Sequence, residues 1–315
     1  MAKYKLSSFL SEAPIKTNIG TVDTKFYPQK LSQVDAAAAK VAVDAGKKDK
    51  DEKDDSAIAS KINKNFESVV TSLFPGQKEV IPEKATAIAL LMLDKDKVGG
   101  DLGAIVSGDK HIMDGHHRWA GTTLADPSAK VSGIQINIPG DALVGILNVY
   151  TKGALSRDQG NPGKGDINQF TPEKIKSVLD DYLKNGFKTF DFISANSDVT
   201  YTPEQVKTIL SKMQGADGDS EKGKEIMAAH ASKLPKETPD WAPERVDMPV
   251  INSDELGALI AKLESGEFDI VEPYSMQVKL SKGAAEEPAE KPAEEPVAEG
   301  LDFIHMMQVR AGIIK

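Results

Sequence analysis

Between His111 and Ala125 the chain reads HIMDGHHRWAGTTLA, so that a carboxylate (Asp114), two imidazoles (His116, His117) and a guanidinium (Arg118) fall within five positions, broken only by Gly115. A guanidinium binds phosphate through paired N–H bonds, and an imidazole moves protons near neutral pH. A carboxylate can accept a proton or ligate a cation. This combination points to chemistry on a phosphate, with Asp114, His116 and His117 as candidate catalytic groups and Asp114 as the candidate metal ligand. Gly115, His116, His117 and Arg118 are the candidate phosphate or nucleotide contacts.

The elements around these residues are built to present them. Leu102 to Ser107 reads as a strand, Gly108-Asp109 as a hairpin turn, and His111-Ile-Met as a second short strand. The apolar period then changes to a helical one from His116, making Asp114-Gly115 a strand-to-helix corner at which glycine permits close backbone approach. The first amides of a helix lack intrahelical partners and carry the positive end of its dipole, which is an anion site.

The run Asp114-Gly-His-His-Arg-Trp-Ala-Gly121 resembles the D-G-x-H-R-x-x-A signature of the ParB/sulfiredoxin superfamily. The resemblance covers about residues 73 to 150 and implies an α/β (α+β) fold, a small mixed sheet with helices, whose signature helix cradles a nucleotide phosphate. Members include partition proteins that bind and hydrolyse CTP, ParB-like nucleases, sulfiredoxin, and free-serine kinases that also carry D-G-H-H-R. Sulfiredoxin chemistry needs a cysteine and this chain has none. In place of the family's E-N-x-x-R box the chain has Gly145-Ile-Leu-Asn148-Val-Tyr-Thr-Lys152, so Asn148 is its candidate nucleotide contact. The kinases use an acidic residue ahead of the signature, for which Glu79 is the nearest candidate.

The resemblance implies a nucleotide- or phosphate-binding protein that hydrolyses or transfers a phosphate ester, as a ParB-like nuclease or NTPase, using ATP, ADP or CTP with Mg²⁺. The alternatives are a phage-type structural or interaction protein that keeps the fold as a binding module, and a free amino-acid (serine) kinase.

Composition narrows the partners. A net charge of −9 and a pI near 5.2 argue against coating duplex DNA, because Lys and Arg supply most of that affinity. The core region, Lys61 to Thr151, is no more basic, with nine Lys or Arg against ten Asp or Glu. A nucleic-acid partner would need a local basic patch. No run approaches the ~18 apolar residues of a membrane span, and the start lacks a signal peptide's apolar core. The expectation is a cytoplasmic protein, in host cytoplasm or virion if phage-encoded, with no membrane partner.

Residues 1–60 read as an arm, a helix over Gln33 to Ala45 that starts near Ser32 and Asp35, and a charged linker, KKDKDEKDD. The ParB-like domain spans 61–155. It is expected to hold a helix over Ser60 to Leu73, a strand at Glu79-Val-Ile, a helix from Pro82 to Leu93, the corner, a strand over Val131 to Ile138, and a helix from Ala142 to about Tyr150 capped by Asp141.

Residues 156–280 read as a mainly helical region. Two matching helix starts, Phe170-Thr-Pro-Glu and Tyr201-Thr-Pro-Glu, lie 31 residues apart. Asp217 to Glu221 lacks the glycine and terminal glutamate of a calcium loop. Met248 to Ile251 and Phe268 to Val271 read as strands around a helix, Asp254 to Leu263, capped by Ser253. Residues 281–300, rich in Glu and Pro, read as a disordered acidic linker. It tethers an apolar peptide, Leu301–Lys315, suited to a protein partner or to self-association.

Overall fold

The computed structural model describes residues 15–17, 20–22, 27–48, 58–159, 165–188, 199–271, 274 and 278. The expected acidic linker and apolar tail lie outside the described residues, as do most of the charged run after Gly46 and residues 189–198. A short hairpin, β1 (Ile15–Thr17) with β2 (Gly20–Val22), precedes α1 (Ala36–Ala42), whose N-cap is Asp35 accepting from the Ala38 amide at 2.9 Å. Then follow β3 (Ile62–Val69), β4 (Phe74–Pro75), α2 (Pro82–Asp94), β5 (Gly100–Ser107), β6 (His111–Asp114), α3 (His116–Ala125), β7 (Lys130–Ile136) and α4 (Gly140–Gly153). The described chain continues with α5 (Pro172–Asn185), β8 (Phe187–Lys188), β9 (Thr200–Tyr201), α6 (Pro203–Ser211), α7 (Ser220–His230) and α8 (Ser253–Ser265). The fold is mixed α/β, around a five-stranded sheet of order β3-β7-β5-β6-β4. No helix among the described residues is long and apolar enough to cross a membrane.

β5 runs parallel to β7 and antiparallel to β6, so the hairpin β5–β6 and the helix α3 together form the crossover that brings the chain back to β7. Side chains alternate across a strand. Leu102, Ala104 and Val106 join a hydrophobic cluster with α2 and α3, while Ile105 is buried on the opposite face. The same cluster continues through Ile175, Leu179 and Tyr182 of α5, Val206 and Leu210 of α6, and Met227 of α7. Trp119 is its largest fully buried side chain, and its Nε1–H donates to the Val70 carbonyl at 2.8 Å.

Several elements differ from the sequence expectation. Ser60 to Leu73 is not an α-helix but the end of a 3₁₀ turn, Ala59–Lys61, then β3 and a second 3₁₀ turn, Val70–Ser72. Its asparagines compete with helix formation through local bonds, as Asn63 Oδ1 does by accepting the Asn65 amide at 3.0 Å, and β7 offers it an antiparallel ladder. Glu79-Val80-Ile81 joins no sheet. Met248 to Ile251 and Phe268 to Val271 are likewise unpaired as strands. The Val250 amide goes to Thr151 Oγ1 and its carbonyl to Arg157, and the Val271 amide goes to Asp269 Oδ1. The cap of α4 is Pro139 rather than Asp141, and that of α8 is Asn252, in a capping box with Glu255, rather than Ser253.

The two Thr-Pro-Glu segments are both helix starts. Thr171 and Thr202 cap α5 and α6, and the preceding aromatics Phe170 and Tyr201 are buried. The acidic run after Ala216 is a cap as well, with Asp219 accepting from the Glu221 amide at the start of α7.

Replacing Trp119 by Phe removes the donor to Val70 and leaves a partial void beside the Val70–Ser72 turn. We expect a loss of about 2–4 kcal/mol in urea unfolding. A loss no larger than about 0.5 kcal/mol, the size of a surface change, would show that the indole bond holds nothing in place.

Candidate anion-binding site

The corner forms as the sequence pattern requires. Gly115 is the N-cap of α3 with φ 96° and ψ 12°, in the left-handed region, and a Cβ there would lie 3.2 Å from the Ala104 Cβ. Both facts favour glycine. No side chain caps α3, so the positive end of the helix opens at Gly115.

The two histidines turn inward from this helix start. The His116 ring is buried, and its Nε2 accepts from the Gly76 amide at 3.0 Å. The His117 ring is also buried, and its Nε2 accepts from the Ile81 amide at 3.1 Å. Desolvation, aided by the positive charge of Arg245, lowers the His116 pKa to about 3, although the Ile112 carbonyl opposes this. Desolvation, with Lys84 and Arg245 nearby, holds His117 well below its ordinary value. Both rings are therefore neutral, with each Nε2 occupied as an acceptor, and together they fasten residues 76–81 onto α3. Gly76 fits against β6 because a Cβ there would lie 2.4 Å from the Ile112 carbonyl oxygen.

Fastening that segment fixes the start of α2 and so places Lys84, in its first turn, beside the corner. The lysine is half-buried, and its pKa falls to about 8 through desolvation and the charges of Arg245 and Arg118, with Asp114 opposing. Arg118 lies across the bulged part of β5, its Nη2 3.4 Å from the Gly103 carbonyl oxygen and 3.6 Å from Asp114 Oδ2. A third cation comes from the irregular segment between α7 and α8. The Arg245 pKa is lowered by desolvation, while Glu79 and Asp114 pull it the other way. Glu79 positions this residue, its Oε2 accepting the Arg245 backbone amide at 2.9 Å.

Asp114 thus sits among Lys84, Arg118 and Arg245. It keeps 45% of its side-chain surface open, yet the surrounding protein desolvates the carboxylate enough to raise its pKa above the usual range, against the pull of Arg118, the Gly115 amide, Arg245 and Lys84. Among the described residues no group of three or more His, Cys, Asp or Glu is arranged to hold a metal. A lone carboxylate with three cations nearby does not suit a Mg²⁺ site, which needs several oxygen ligands.

The sequence candidates therefore separate. Asp114, Gly115 and Arg118 form the corner, His116 and His117 stand behind it as acceptors, and Glu79 holds the Arg245 segment. Asn148 does none of these. It is fully buried in α4, and its Nδ2 donates to the carbonyls of Gln29 at 2.9 Å and Pro28 at 3.3 Å. Pro28 and Gln29 line a groove of about 870 Å³ with Lys78, Glu79, Trp241 and Glu244. Lys84 and Arg245 escaped the sequence reading because tertiary packing alone brings them to the corner. One signal was present: the chain has only four arginines, at 118, 157, 245 and 310, and two of them meet here.

Neutral buried histidines make stability pH-dependent. Both rings stay unprotonated in the fold but protonate in the unfolded chain below the ordinary value of 6.5, so stability is full above that pH and is lost as pH falls toward the folded value, about 3 for His116. Between pH 6 and 4.5 each should cost about 1.4 kcal/mol per pH unit. Urea unfolding of the wild type and of His116→Gln and His117→Gln should show the pH slope shrinking by one proton in each variant. Parallel slopes in all three proteins would mean the rings titrate freely.

No protein-family model matches this chain, and no curated protein or solved structure proved similar to it.

Proposed function

We propose that the β6–α3 corner binds the phosphate of a phosphorylated small molecule, with a nucleotide as the class implied by the Asp114-Gly-His-His-Arg118 resemblance to the ParB/sulfiredoxin superfamily. The observation that carries this reading is the convergence of three cations from three separate elements, Lys84 of α2, Arg118 of α3 and Arg245 of the α7–α8 segment, around an uncapped helix start. Each contributes favourably to an anion there. The helix end supplies oriented amides, the two guanidiniums supply forked donors, and partial desolvation strengthens every charge interaction.

In a chain of net charge −9 this positive spot is local, which favours a small anion over a long polyanion such as duplex DNA. The element order of the corner region, with a helix before the hairpin and a strand and helix after the signature helix, supports the superfamily resemblance. If the bound phosphate also reacts, the histidines are poorly placed for proton transfer because each Nε2 already accepts an amide. Lys84, with a pKa of about 8, is then the group suited to exchange a proton near neutral pH.

Calorimetry with ATP, ADP, CTP, GTP and pyrophosphate, each with and without Mg²⁺, tests the reading. Arg118→Ala and Arg245→Ala should each weaken the tightest of these ligands by about 1.5–3 kcal/mol, the value of a charge-assisted hydrogen bond. Binding that neither substitution alters would place the ligand elsewhere and overturn the assignment.

A further inference from the structure

Resting on the anion-site reading above, we propose that Asp114 is an internal counter-ion, a carboxylate that holds the place of the ligand's negative charge and must share or yield its cations when a phosphate arrives. Its position supports this. Asp114 ends β6, and Gly115 follows at once in a left-handed conformation, so the carboxylate is fixed at the mouth of the α3 helix end. It lies in the field of all three cations, Arg118, Arg245 and Lys84. The contact with Arg118, at 3.6 Å, is an ion pair too long to be a hydrogen bond, and the same Nη2 makes only a long hydrogen bond, 3.4 Å, to the Gly103 carbonyl, so a closer acceptor can displace either.

Of the other titratable groups, His116 and His117 are neutral acceptors of backbone amides, and Glu79 accepts the Arg245 amide and is the larger counter-charge to Arg245, so Asp114 is the carboxylate left to face Arg118. Asp114 therefore supplies the carboxylate charge closest to Arg118, and it offsets the mutual repulsion of three cations held in partly desolvated positions.

The arrangement gives Asp114 a role in selection. A singly charged anion gains little by entering, because it meets a carboxylate that already neutralises part of the site. A ligand with several negative charges close together can outcompete that carboxylate, so the corner should favour pyrophosphate groups over a single phosphate. Removing the carboxylate while keeping its size should strengthen all anion binding and should help the weaker anion more. A carboxylate acting instead as a proton acceptor or metal ligand would predict no gain in affinity.

The test measures inorganic phosphate and pyrophosphate binding to the full chain by calorimetry at fixed low salt, for the wild type, Asp114→Asn, Asp114→Ser and Asp114→Asn combined with Arg118→Ala. We expect at least tenfold tighter phosphate binding in both single variants, a smaller preference for pyrophosphate, and loss of the gain in the double variant. Wild-type binding with equal or weaker binding in both single variants would overturn the counter-ion role and leave the anion site standing. Absence of binding in the wild type and every variant would overturn the anion site itself, and this proposal with it. If the single variants fold only when phosphate is supplied, the anion is replacing the carboxylate and the proposal holds. If they fold under neither condition, Asp114 is needed for the fold in a way no anion can replace, and the proposal fails.

Discussion

Two hydrogen bonds that end on imidazole nitrogens, from the Gly76 amide to His116 and from the Ile81 amide to His117, determine the shape of the corner. Residues 76–81 have no ladder of their own, and buried amides without partners are costly. By accepting these amides the histidines hold the segment that follows β4 in place as it leads into α2. The neutrality of the rings is part of the same arrangement, since a protonated ring has no lone pair to offer and would add to the positive charge of Lys84, Arg118 and Arg245.

The corner also shows how a residue's chemistry depends on where its ring points. His116 and His117 belong to the same helical turn as Arg118, yet they are buried while the guanidinium stays one-third open. Helical spacing sends successive side chains in different directions, so three adjacent polar residues serve two faces. Arg118 and Asp114 face the opening, and the histidines face the protein. The site is thus divided between charge presentation in front and backbone support behind.

Much of this was legible in the residues. The hairpin, the left-handed glycine and the start of α3 follow from Gly108-Asp109 and Asp114-Gly115, where local chemistry leaves few choices. Ser60 to Leu73 was not legible, since its apolar residues fit a helical stripe and only the presence of β7 as a ladder partner makes it a strand. The support role of the histidines was hidden for a related reason, because sequence names an imidazole but not the amide it meets. Lys84 and Arg245 were beyond local reading altogether, being about 160 residues apart in the chain and joined only by packing.

Arg245 has a consequence for the order in which the molecule is assembled. It begins a single 3₁₀ turn, Arg245–Asp247, kept in place by the Glu79 bond, by Trp241 packed edge-on to His111 with ring centroids 5.2 Å apart, and by Asp247 accepting the Ser32 amide at 3.0 Å. During synthesis the sheet and α3 emerge long before this stretch does. A nascent chain can therefore hold a well-formed corner that still lacks one of its three positive charges, and only a chain complete past Arg245 brings all three together.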